Sequence, residues 1–289
     1  MRASLLLTLV LTALPAAAAG GDVAAAQGGR FVEVRGARLF VETHGSGPPI
    51  VFLHGGLDHF ATAFAAQRDV FAASHQVIGI DQRGHGHSPD DARPFDYREM
   101  AEDTAAVIER LGLGAVDVVG QSDGADIAML LARDHPALVR RLVLASGNLR
   151  AGLSADELAQ RKTWSRQQID ARLHKMSESL PARFQPQYVA ATPEPPEHWW
   201  VLLRKSWQLW LTPVVIAPAD LARIEAPALV IAGDHDFVSI DETVEIWRAL
   251  PHAQLLILPD TGHGTLQTRA DLVNGVIAEF LKAPASAAR

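Results

Sequence analysis

Ser122, Asp236 and His263 are the residues whose types and spacing could carry covalent chemistry in this chain. A serine hydroxyl is a weak nucleophile near neutral pH. It becomes effective when a base lies within hydrogen-bond reach and a third group orients that base. Ser122 stands in Gly120-Gln121-Ser122-Asp123-Gly124, a G-x-S-x-G pentapeptide between the mostly apolar run AVDVV and the helical pattern DGADIAMLLARD. Between a strand and a helix, that pentapeptide puts its serine on a sharp, strained turn. The helix beginning there directs its N-terminal N–H groups and positive dipole end toward the reacting atoms. The N–H of Asp123 is then one donor to a developing oxyanion. The loop after PIVFLHGG supplies the second, at Gly56. Five residues alone are weak evidence. A carboxylate closing LVIAGDHD and a histidine in PDTGHG, in that chain order, make the pattern much stronger.

Such residues need a scaffold that gathers strand ends. PIVFLHGG, HQVIGIDQRGHGHS, AVDVVGQS, VRRLVLASG, APALVIAGDHD and AQLLILPDTGHG read as strands, most of them continuous apolar runs suited to burial on both faces. RFVEVRGARLFVETHGSG alternates around Gly36 as a hairpin. YREMAEDTAAVIERLGLG is an amphipathic helix with a glycine stop, and DETVEIWRALP and LQTRADLVNGVIAEFL are further helices. Strands alternating with helices predict an α/β fold, with a mostly parallel central sheet and helices on both faces. Ligands of such sheets sit beyond the carboxyl ends of the strands. Here those ends carry His54-Gly55-Gly56, Asp81, Ser122, Ser146, Asp236 and His263. The alternation lapses over 148–219, where HWWVLLRKSWQLWL holds Trp199, Trp200, Trp207 and Trp210. This predicts a helical cap inserted between core segments 27–147 and 220–289.

The 289 residues are 48% hydrophobic and 20% charged, enough apolar material for a large core. The net charge of -7 argues against a nucleic-acid partner, which wants a basic face. MRASLLLTLVLTALPAAAAGG has a positive start, an apolar run too short to span a bilayer, and several A-x-A sites. Residues 1–26 are therefore expected to be a signal peptide cleaved between about 19 and 26. The mature protein is expected to be secreted or periplasmic, without stable membrane insertion. The chain has no cysteine, so its core must hold it without disulfides.

FLHGG at 52–56, DQRGHGHS at 81–88, GQSDG at 120–124, GDHD at 233–236 and TGHG at 261–264 resemble the marks of the α/β-hydrolase superfamily. The resemblance covers nearly the whole chain after the leader. It implies the α/β-hydrolase fold, with Ser122 as nucleophile, His263 as general base then acid, and Asp236 as its orienter. Asp236 is preferred to Asp234 because the family's acid commonly ends a G-x-x-D. A serine nucleophile argues against dehalogenase and epoxide hydrolase activities. The serine-aspartate pair is also similar to the biphenyl-hydrolase-like and valacyclovir-hydrolase group, although Ala125 replaces a glycine of that group's SDGG. The implied reaction is hydrolysis of a small-molecule carboxylic ester through an acyl-enzyme, with no cofactor. Amide or aminopeptidase-like cleavage, lactone hydrolysis and cofactor-free perhydrolysis could use the same three residues. A noncatalytic binding protein on this scaffold is the alternative from another class.

Substrate contacts are expected from Gly55, Leu57 and His59 after the FLHGG strand, from Gln121, and from Trp200 and Trp207. His85, His87 and His235 lack a ligand set at coherent spacing, so no metal is expected. Asp81 and Arg83 read as an internal polar network. The Asp123 side chain has two readings: a helix cap that favours the N-terminal dipole, or a receptor for a cationic substrate group such as an α-amino.

Overall fold

A computed structural model describes residues 28–149, 165, 180, 182–211 and 216–282. The leader expected over 1–26 and much of the first half of the expected cap lie outside the described residues. The hairpin around Gly36 is β1 (Gly29–Val34) and β2 (Ala37–His44). The apolar runs form β3 (Pro49–Leu53), β4 (Gln76–Ile80), β5 (Val116–Gln121), β6 (Val139–Ala145), β7 (Ala228–Gly233) and β8 (Ala253–Leu258). They make one sheet in the order β1-β2-β4-β3-β5-β6-β7-β8. β2 is antiparallel to β1 and β4, and the remaining pairings are parallel. The expected α/β architecture is therefore present, and β5 and β7 are buried at every position: β7 is an unbroken apolar run, while β5 carries a buried Asp117 that pairs with Arg140.

The two-residue period of a strand splits the core into two layers. Val51, Leu53, Val118, Leu142 and Leu144 face α3 (Tyr97–Arg110) and α4 (Asp123–Asp134). Ile50, Phe52, Val119 and Val143 face the other way. They pack with Phe60 of α1 (Phe60–Ala63), Phe71 of α2 (Ala65–Ala72) and the closing helix. α1 and α2 were not legible in the sequence. They are short, broken at Phe64, and start without a side-chain cap, so no start signal marks them. By contrast, Asp96 caps α3 by accepting from the N–H groups of Arg98 and Glu99. The single closing helix expected from the sequence is two, α8 (Thr265–Thr268) and α9 (Ala270–Lys282), separated at Arg269.

Between β6 and β7 the described residues hold helical turns over 182–191, α5 (Trp199–Leu211), α6 (Pro218–Leu221) and no strand. Lys205 and His198 tie α5 and its lead-in to the Asp90 carboxylate, at 2.7 and 2.9 Å. Trp199, Leu202, Leu203 and Leu209 join the core on the α3/α4 face. After α6 the chain enters β7, then α7 (Ile240–Ala249), whose start is capped by the Ser239 hydroxyl.

The glycines of the pentapeptide are where α4 meets the sheet. A Cβ on Gly124 would run into the carbonyl oxygen of Leu53 in β3, and one on Gly120 into the carbonyl of Gly124. Both obstacles are backbone, which cannot rotate aside. Gly124→Ala is therefore expected to destabilise the fold by about 1–3 kcal/mol or more, lowering the midpoint of thermal unfolding by several degrees. Calorimetry of the variant checks this.

Candidate active site

Ser122 follows β5 with φ 54° and ψ −125°, a backbone that a non-glycine residue rarely adopts. It is the N-cap of α4 yet makes no side-chain cap bond, so its hydroxyl is free to point elsewhere. The hydroxyl lies 2.9 Å from Nε2 of His263. Nδ1 of the same ring lies 2.7 Å from Oδ1 of Asp236. A carboxylate only accepts, so Nδ1 carries the proton and Nε2 accepts from Ser122. The Asp236 side chain is fully buried, and its Oδ1 also accepts from the N–H of Val238 at 3.0 Å. Asp234 is exposed and accepts from the Thr261 N–H instead, so it is Asp236 that meets the imidazole.

The loop after β3 passes beside the serine. A Cβ on Gly55 would stand 3.1 Å from Cβ of Ser122. Gly56 is pressed between the Trp210 ring and the Asp123 carboxylate: its Cβ would lie 2.5 Å from Cζ2 of Trp210 and 2.6 Å from Oδ2 of Asp123. Leu57 has a left-handed backbone, φ 64°, and its side chain is buried in the core. Asp123 is buried and does not cap α4. Its Oδ1 accepts from the Tyr97 hydroxyl at 2.8 Å, and both of its oxygens face Trp210 Nε1, at 3.0 and 2.9 Å. Burial pushes the Asp123 carboxyl up, against the pull of these two donors. Burial, then the Asp123 charge, pushes the Tyr97 phenol well up, so it stays a donor.

The carbonyl of His263 is held from two sides. Ser146 Oγ donates to it at 3.0 Å, from a backbone with φ 53° at the end of β6. Gln121 Nε2 donates at 3.4 Å. Gln121 and Gln267 also exchange a reciprocal pair of amide bonds, at 3.0 and 2.9 Å. The Gln121 amide is thus committed to the His263 loop rather than offered to a substrate. Phe237, 64% exposed, lays its ring 4.0 Å from the His263 ring.

The other expected substrate contacts differ in their exposure. On α5, Trp200, Arg204 and Gln208 form a solvent-facing stripe at helical spacing, and Trp200 is 49% exposed. Trp207 is buried on the inner side, its ring 6.5 Å from that of Trp210. The spacing of Arg204 and Gln208 was the available signal that Trp200 looks outward and Trp210 inward. His59 is buried, with its ring edge-on to His87 and Nδ1 3.2 Å from the Thr62 hydroxyl. Asp81 accepts from the N–H groups of Phe60 and His87 and from His87 Nδ1, and Arg83 pairs with Asp91 and Asp103. Both therefore serve an internal network. No metal-binding cluster of three ligands occurs among the described residues.

The family model described as "Alpha/beta hydrolase family" matches residues 50–276, and the chain belongs to that family. YisY of Bacillus subtilis (strain 168), an AB hydrolase superfamily protein, is 28% identical over 260 residues, covering 84% of this chain and 94% of its own. The 2-hydroxymuconate semialdehyde hydrolase of Pseudomonas sp. (strain CF600) is 27% identical over 277 residues, covering 88% and 93%. Among solved structures, Est816, described as an N-acyl homoserine lactone degrading enzyme, superposes with a TM-score of 0.69 at 26% identity, covering 86% of this chain and 99% of that one. The family and these relatives make this chain one of the hydrolases.

A second buried acid lies one turn along α4. Asp126 accepts from the N–H and Nδ2 of Asn148, where the chain leaves β6. Burial first, and then the neighbouring Asp123 charge, pushes the Asp126 carboxyl well up. A carboxyl raised by folding binds more protons in the folded state, so its contribution to stability is present at low pH and lost as pH rises through the folded value. Asp126→Asn is expected to flatten that decline. Denaturant unfolding at about pH 5 and about pH 8 should show a smaller stability difference than in wild type.

Proposed function

We propose that this protein hydrolyses carboxylic esters through an acyl-enzyme. The observation that carries the reading is the Ser122–His263–Asp236 chain of hydrogen bonds at the end of β5. In this mechanism Ser122 Oγ attacks the ester carbonyl carbon while its proton passes to Nε2 of His263. The N–H groups of Gly56 and Asp123 hold the oxyanion. Collapse of the tetrahedral intermediate breaks the bond to the alcohol, which takes the proton from Nε2. Water then attacks the acyl-Ser122 ester by the same path, releasing the acid and restoring the serine. Asp236 keeps the imidazole in the tautomer that can accept. Lactone hydrolysis is the second reading. It uses the same steps on a cyclic ester and is favoured by the likeness to Est816.

A panel of p-nitrophenyl esters, lactones and anilides separates these readings. Ester turnover is expected in wild type, with kcat/KM falling by about 10³-fold or more in Ser122→Ala. Turnover that survives in Ser122→Ala would refute the mechanism, and failure of a fluorophosphonate to label Ser122 in the folded wild type would refute a serine enzyme altogether. Asp236→Asn is expected to lower kcat by about 10³- to 10⁴-fold while the protein remains folded.

Export is also part of the proposal, and the leader-like residues 1–26 support it. Full-length protein made in a Gram-negative host is expected in the periplasmic or culture fraction, shortened at its N-terminus. N-terminal sequencing checks this, and an intact Met1 on soluble cytosolic protein would count against it.

A further inference from the structure

The Asp123 carboxylate and the Gly56 backbone share one neighbour, the indole of Trp210 near the end of α5. Its N–H donates to the carboxylate, and its six-membered ring lies against Gly56, which has no side chain to hold it off. Asp123 and Gly56 are the two residues whose N–H groups face the oxyanion in the mechanism above. On the far side, Tyr97 at the start of α3 anchors the same carboxylate. Trp210 therefore spans the two halves of the oxyanion hole from the segment between β6 and β7, while Tyr97 pins Asp123 to the core. Oxyanion donors act only when placed within tenths of an ångström of the charge that develops.

We infer that Trp210 is a positioning residue that sets the oxyanion hole by clamping Asp123 against Gly56, so that the seating of α5 and catalysis are coupled. The inference rests on the ester-hydrolase reading for its kinetic consequence, but not for its structural one. It also gives the Asp123 side chain a role that differs from either sequence expectation. The carboxylate makes no cap bond to α4, and it is buried, with its oxygens receiving the Tyr97 hydroxyl and the Trp210 N–H.

The test compares Trp210→Phe, Asp123→Asn and the double variant with wild type, using a soluble p-nitrophenyl ester. Trp210→Phe keeps an aromatic ring over Gly56 and removes the N–H. It is expected to lower kcat by about 10- to 100-fold, less than outright loss of an oxyanion donor, with KM changed less than about threefold. Asp123→Asn is expected to fall in the same direction. The double variant should lose no more than about threefold beyond the worse single variant, because both act through one contact. Amide hydrogen exchange provides a readout free of turnover: exchange in the 54–57 loop is expected to quicken in Trp210→Phe while the central strands stay protected. Unchanged exchange in that loop overturns the clamp whether or not the protein cleaves esters. An unchanged kcat, a loss confined to KM, or independent multiplicative losses also overturn it. So does a selective loss of aminoacyl-ester turnover in Asp123→Asn, which would make the carboxylate a cation receptor. If wild type cleaves no ester but loop exchange responds, the reaction assignment fails and the clamp stands.

Discussion

The approach of α4 to the sheet, backbone on backbone, is the constraint from which the rest of the site follows. Gly124 lets the first turn of the helix sit against the Leu53 carbonyl at the end of β3, and Gly120 makes room for the carbonyl of Gly124. With those contacts fixed, the residue between them has to turn the chain sharply from strand to helix. Ser122 accordingly takes a backbone of φ 54°. The strain is held by a fully buried strand on one side and a helix buried along most of its length on the other. Its consequence is chemical: the hydroxyl projects beyond the sheet toward His263, while the helix N-terminus stays close behind it.

Around that turn, most buried polar groups are matched to one another. The His263 imidazole is fixed by Asp236 on one nitrogen, and its backbone carbonyl by Ser146 and Gln121. Ser146 repeats the left-handed backbone of Ser122 on the adjacent strand, so two strained serines stand side by side at the sheet's carboxyl edge. One offers its hydroxyl to the imidazole, and the other spends it on holding the loop that carries the imidazole. Beneath them, Asp123 and Asp126 put two carboxyls in the same buried helix turn. Their raised pKa values come from desolvation and, at Asp126, from mutual repulsion. The cost in stability is offset by fixed donors, from Tyr97 and Trp210 at one and from Asn148 at the other.

Much of the fold was legible because a buried parallel strand has few alternatives: an apolar run of five to seven residues ending in Gly, Ser or Asp reads the same way each time. The pentapeptide, GDHD and TGHG were legible for a related reason, since each marks a strand end where geometry restricts residue choice. α1 and α2 were not, because they lack capping residues and are held by burial of Phe60 and Phe71 rather than by local signals. Contacts within the tryptophan-rich segment were only half legible. Helical spacing sets Trp210 apart from the outer stripe of Trp200, Arg204 and Gln208, but it also puts Trp207, seven residues after Trp200, on that same side, where packing buries it.

Sequence by itself determined the strand–helix alternation and the order of serine, acid and histidine along the chain. It also determined the two glycines that make the turn at Ser122 possible. These are properties of neighbouring residues or of periodicity, and they survive without knowledge of what packs against what. Tertiary structure alone decided that Gln121 is tied to Gln267 instead of to a ligand. It alone decided that the Asp123 carboxylate is taken by Tyr97 and Trp210, 26 residues before it and 87 after it. Hydrogen bonds between side chains so far apart in sequence depend on how the helices dock, and no local pattern encodes that docking.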